Sequence, residues 1–152
     1  MGKLEKCAGM VDISPKDITA RRAIAQGTIA LKPKAFKALM GNQSPKGNVL
    51  ETAKIASIMA AKSTPSIVPL CHPLNLEKVK VLFEPVKSKN AVRVTAEVLC
   101  SGKTGVEMEA LAAVSAACLT IYDMMKWAGQ EMVISGVQLT HKSGGKTGVY
   151  QR

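Results

Sequence analysis

The chain has 152 residues, 47% hydrophobic but only 3% aromatic, which is enough for one domain with an aliphatic core and no covalent staples. Its formal net charge of +10 exceeds what solubility requires, and beyond a merely solvated basic surface it points to phosphate, on nucleic acid or on a small polyanion. No uninterrupted apolar run reaches bilayer length, no apolar leader opens the chain, and Cys7, Cys71, Cys100 and Cys118 are scattered; these features argue against a membrane span and a disulfide framework and predict a cytoplasmic protein.

Residues 1–19 are polar and mixed in charge, with Ser14-Pro15 breaking any periodicity, and are expected to form a poorly ordered arm. Residues 21–31 read as an extended segment. Pro33 opens a short helix over 34–40, stopped at Gly41, and 41–47 is a loop by composition. A second helix is predicted over 48–62, where Leu50, Ala53, Ile55, Ile58 and Ala61 approximate one face. Three prolines in 63–76 argue against a regular helix or central strand there. What remains is an apolar loop, suited to lining a pocket or a subunit contact.

Residues 78–83 alternate as a strand, 87–90 make the turn, and 91–99 alternate again with Val92, Val94, Ala96 and Val98 on one side. A long helix is predicted over 104–127 and a last strand over 132–140. This divides the chain into a flexible arm (1–19), a ferredoxin-like domain (20–141) and a Gly-rich basic tail (142–152). Apart from the extra short helix, the order is the split βαββαβ plan, an α+β ferredoxin-like antiparallel sheet with helices packed on one face.

Gly-Lys-Thr occurs at 102–104 and again at 145–147, but neither copy has the earlier glycine a P-loop needs: those positions hold Glu97 and Thr140. Glu107 and Glu109 follow the first copy and would oppose phosphate there; they suit the N–H edge of a guanine or pterin instead. In the tail, paired glycines with Lys142 and Lys146 either cradle an anion or are simply solvated. His72 sits in an apolar, proline-bracketed segment, as an acid or base or as a packed imidazole; next to Cys71 it has no ligand spacing, so no metal is expected. An RNA-recognition module shares the strand order and the charge, but 92–99 carries no aromatic residue on which bases stack, and no nucleic-acid partner is expected.

Asp123 and Lys126 share a helix face at a spacing of three, as an exposed ion pair or as a lysine acid/base tuned by the aspartate. Glu109 and Asp123 lie fourteen residues apart on one helix, about 21 Å along its axis. If both serve one small substrate, two subunits build each site.

The runs MVDIS (10–14), KG (46–47), AAK (60–62), VPLCHPL (68–74), KTGVEMEAL (103–111), LTIYDMMK (119–126) and KSGGKTG (142–148) resemble the molybdenum cofactor biosynthesis protein C family, the cyclic pyranopterin monophosphate synthases. They occur in family order across essentially the whole chain. The resemblance implies a ferredoxin-like lyase forming a homohexamer, a trimer of dimers with active sites at dimer interfaces. It implies conversion of 3′,8-cyclo-7,8-dihydro-GTP, a nucleotide-triphosphate-derived small molecule, into cyclic pyranopterin monophosphate with release of diphosphate. An upstream radical S-adenosylmethionine enzyme would supply that substrate, and no cofactor is expected.

Carried over by motif, Asp123 matches the family's catalytic aspartate and Lys126 the lysine beside it. Leu70, Cys71, His72, Met108 and Glu109 match substrate-binding positions. Arg21, Lys46, Lys62 and Lys142 match basic pocket residues, with Lys46 a further acid/base. On this reading Arg21, Lys62, Lys142 and Lys146 neutralise the triphosphate, and Glu107 or Glu109 orients the ring. Trp127 and Ser57 depart from the pattern, standing where a small residue and a glycine are usual.

Overall fold

The computed structural model describes residues 9–152; Cys7 and the first eight residues of the expected arm lie outside them. Strand β1 (Thr19–Ala30) is followed by α1 (Pro33–Met40), α2 (Val49–Lys62) and the single turn α3 (Thr64–Ile67). Next come β2 (Lys78–Val86), β3 (Ala91–Gly102), α4 (Glu107–Met125), β4 (Val133–Ser143) and β5 (Tyr150–Gln151). The strands form one antiparallel sheet in the order β2-β3-β1-β4-β5, the ferredoxin-like arrangement with a two-residue strand added at one edge.

The period-two pattern of β3 decides which face is covered. Val92, Val94, Ala96, Val98 and Cys100 all point inward and are fully buried, as are Ala23, Ala25 and Ile29 of β1. Against them lies α4, whose Ala110, Ala113, Val114, Ala117, Cys118 and Ile121 are also fully buried. Small residues let helix and sheet approach closely: a Cβ on Gly27 would come within 2.7 Å of Val114 Cγ1. Truncating Ile121 to alanine there would cost about 2–5 kcal/mol. The stretch Glu107–Ala128 is apolar enough to cross a membrane by length and composition, but half of that window is buried within the domain, where it serves as the core helix.

Helix α2 packs antiparallel beside α4. Ser57 Oγ donates to the carbonyl of Ala113 at 2.8 Å, and Ser44 Oγ, just before α2, donates to that of Met124 at 3.0 Å. The C-terminal end of α2 therefore lies by the N-terminal end of α4, and the loop before α2 lies by the far end.

Several boundaries differ from the sequence reading: β2 and β3 each run three residues further than predicted, to Val86 and Gly102, and α4 ends at Met125 rather than 127. Within 63–76 the prolines do not prevent α3, because Pro65 falls in its first turn, where no amide hydrogen is needed. Helix α4 starts at Glu107 rather than 104. Strand β1 already begins at Thr19, and β4 continues to Ser143, so both domain boundaries drawn on the sequence fall inside strands. Lys142 thus belongs to a strand, and the tail turns back so that Tyr150 and Gln151 pair with Lys142 and His141.

Candidate active site

At the C-terminal end of α4, Asp123 carries two lysines. Lys126 Nζ lies 2.8 Å from Oδ1 and Lys46 Nζ 2.6 Å from Oδ2. Helix spacing alone explains Lys126. Lys46 arrives from the loop before α2, where its own N–H donates to Ser44 Oγ while that hydroxyl is tied to the end of α4. Lys126 first, and then Lys46, hold the Asp123 carboxyl down to about 2. In return Asp123 raises Lys126 above the usual lysine value and keeps it charged. The three side chains are about half exposed, so the cluster is open to a ligand.

The other end of α4 is different in character. A cavity of about 420 Å³ is lined there by Arg21, Glu107, Lys142 and Lys146, together with Lys16, Asp17, Arg22, Lys103 and Thr104. Lys142 Nζ contacts Glu107 Oε1 at 3.1 Å, and Arg21 Nε donates to the carbonyl of Gly102 at 3.2 Å. Gly144 and Gly145 have φ of 95° and 78°, and a Cβ on Gly145 would collide with the Arg21 guanidinium. Glycine is required at 145 because only it combines this backbone with so close an approach.

Glu109 is 3% exposed, and burial pushes its carboxyl up. Burial first, and then the Glu109 charge, push the Cys71 thiol up. His72 beside Cys71 is partly buried, whereas Leu70, Met108 and Lys62 are exposed. None of these six residues lines the cavity, and neither does the Asp123 cluster. The predicted site residues therefore fall into two groups at opposite ends of one helix, with about 21 Å between Glu109 and Asp123. Among the described residues no three His, Cys, Asp or Glu side chains converge to hold a metal.

The sequence reading did not assign Lys16, Arg22, Lys103 or Thr104. The repeated Gly-Lys-Thr was the available signal for two of them; nothing local marks Lys16 or Arg22.

A ferredoxin-like domain with a cationic cavity at one end of its core helix and an acid gripped by two lysines at the other is laid out as an enzyme for an anionic small molecule. The MoaC family model matches residues 10–145, and the chain belongs to the MoaC family. It is 53% identical to the cyclic pyranopterin monophosphate synthase of Methylobacterium nodulans over 144 residues, covering 95% of this chain and 90% of that protein. It is 48% identical to the protein of that name in Pelotomaculum thermopropionicum over 145 residues, covering 95% and 85%. The Chloroflexus aggregans protein of that name is 49% identical over 145 residues, covering 95% and 88%.

Proposed function

We propose that the chain is a cyclic pyranopterin monophosphate synthase of molybdenum cofactor biosynthesis, acting on 3′,8-cyclo-7,8-dihydro-GTP with release of diphosphate. The observation that carries this reading is Asp123 held between Lys46 and Lys126, in a chain whose relatives bear that name.

The chemistry divides between the two ends. Forming the cyclic phosphate requires a substrate hydroxyl to attack the α-phosphorus while the α–β P–O bond breaks. The hydroxyl proton passes to a base, and diphosphate departs with the bonding electrons. Arg21, Lys142 and Lys146, which line the cavity, stabilise the charge on the departing group, while Lys62, exposed at the end of α2 and outside that cavity, adds charge from a second direction once substrate is bound. Glu107 or Glu109 accepts from the N–H edge of the ring, near Leu70, Cys71, His72 and Met108. Lys126 is kept protonated by Asp123, so it enters as a proton donor during ring opening and rearrangement, with Lys46 as its partner across the carboxylate.

One substrate cannot span both ends of one α4, so we place each site between two copies, within a hexamer built as a trimer of dimers. The exposed Ile55, Met59 and Leu119 on the helical layer, with Ile67 and Leu70 at its end, supply apolar surface for such contacts. A radical S-adenosylmethionine enzyme would provide the cyclised nucleotide, and the free thiols of Cys71, Cys100 and Cys118 suit the reducing cytoplasm.

The test is incubation of the purified chain with enzymatically made 3′,8-cyclo-7,8-dihydro-GTP. The expected result is a pterin product and diphosphate in equal amounts. Unchanged substrate with a folded protein would overturn the reading.

A further inference from the structure

The two Gly-Lys-Thr tripeptides are not P-loops, yet the structure brings both to one cavity. Gly102 ends β3 opposite Thr19, and Ser143 ends β4 opposite Arg22, so the copies leave strands on either side of the start of β1. Lys103, Thr104 and Gly105 line one wall, and Gly145, Lys146 and Thr147 another. Arg21 of β1 lies between them. It bonds the Gly102 carbonyl, and its guanidinium fills the space a side chain at 145 would need.

The charges on these walls are not balanced. The cavity is lined by six cations, Lys16, Arg21, Arg22, Lys103, Lys142 and Lys146, against two acids, Asp17 and Glu107. Arg22 is neutralised by Glu97 and Lys142 by Glu107. Among the described residues the other four cations make no ion pair. The Lys103 ammonium donates to the Ser14 carbonyl at 2.8 Å, and nearby Asp12 is itself tied to the Ser14 N–H. Thr19 Oγ1, also on the wall, is buried and has no hydrogen-bond partner among the described residues. Cations outside ion pairs, the hydroxyls of Thr19, Thr104 and Thr147, and a glycine pair with positive φ make a donor set for a polyanion with several oxygens.

We propose that the paired Gly-Lys-Thr segments form a two-sided cradle for a diphosphate group. Lys103 and Thr104 act as binding residues opposite Lys146 and Thr147, and segment 14–17, held by Lys103, forms the third wall. This rests on the proposed function for the identity of the group as the leaving diphosphate, and it adds residues that reading does not use. Lys103 positions the phosphate chain, so its removal acts on binding more than on the bond-breaking step.

Calorimetry on the full chain with inorganic diphosphate, orthophosphate and guanosine tests the cradle. For diphosphate, Lys103→Ala is expected to raise Kd roughly ten- to a hundredfold, as for a lost charge-assisted hydrogen bond, with Lys103→Arg restoring most of the affinity. Orthophosphate should bind more weakly than diphosphate, and guanosine binding should not respond to Lys103. With the cyclised nucleotide, Lys103→Ala should raise KM with a smaller change in kcat. Hydrogen exchange should show amides 14–17 protected when diphosphate is added. A Lys103→Ala protein with unchanged melting temperature and wild-type diphosphate affinity would overturn the cradle, as would a wild-type chain indifferent to millimolar diphosphate. Lys103-dependent diphosphate binding without turnover would uphold the cradle and defeat the proposed function instead.

Discussion

Lys46 and Asp123 are 77 positions apart in the chain, yet the lysine ammonium lies 2.6 Å from the carboxylate. The contact exists because the loop before α2 is tied to the end of α4 through Ser44, so the geometry of the acid cluster depends on how the two helices pack.

Asp123 should titrate at about 2 rather than at the ordinary 3.8, with Lys126 as the larger cause. A carboxyl depressed in the folded state stabilises it above pH 3.8, and that contribution fades as pH falls toward 2. Because the group is half exposed, the effect on stability is small. Carbon-detected NMR of the Asp123 carboxyl is the measurement, and the midpoint should climb toward 3.8 in Lys126→Ala. A midpoint indifferent to that substitution would show that the pair does not form.

Lys126→Ala and Lys46→Ala should each lower kcat by on the order of a hundredfold or more, the usual worth of a positioned proton donor. Affinity for an unreactive nucleotide should change by less than about threefold, which single-turnover kinetics and calorimetry separate. A Lys126→Ala chain that turns over normally would remove its role.

Mixing two inactive variants tests whether sites are shared between copies. In a dimer of Lys126→Ala with Glu109→Gln, one site receives both substitutions and the other receives neither. Co-refolded mixtures should therefore regain activity that neither variant has alone. No recovery, with mixed dimers verified by mass, would mean that each chain carries its own complete site.

Glu109→Gln should melt higher than the wild type at pH 7 even though it binds substrate worse. Burial raises the Glu109 carboxyl, so the folded state favours the protonated form and loses stability as pH rises through the shifted value. Removing the charge should gain on the order of 1 kcal/mol, about 2–4 °C for a chain of this size, with a smaller gain at pH 4. A lower melting temperature at pH 7 would show that the carboxylate is compensated in the fold.

Ser57 is fully buried in α2, with its hydroxyl donating to the Ala113 carbonyl at 2.8 Å. Ser57→Ala should cost about 1 kcal/mol for the lost hydrogen bond. Ser57→Gly should cost about 1 kcal/mol more, through backbone entropy in the helix interior. Melting temperatures should rank Ser above Ala above Gly. A glycine variant as stable as the wild type would show that the hydroxyl contributes nothing.

Strand β3 was legible because every inward side chain meets the helical layer, so the alternation of Val92, Val94, Ala96 and Val98 is a direct imprint of burial. Helix α2 was legible for the same reason at its own period and α4 by its long Ala-, Leu- and Met-rich run, and the residue runs sufficed to suggest the family. The single turn α3 and the two-residue β5 left no periodicity to read, being shorter than one repeat of the pattern. The ends of α4 separated Glu109 from Asp123 by rise per residue alone, which is local geometry. By contrast, the meeting of Lys46 with Asp123, and the placing of Lys103 and Lys146 on walls of one cavity, needed tertiary structure. Periodicity belongs to the chain, whereas the approach of side chains from distant segments is decided by which helices pack and which strands pair.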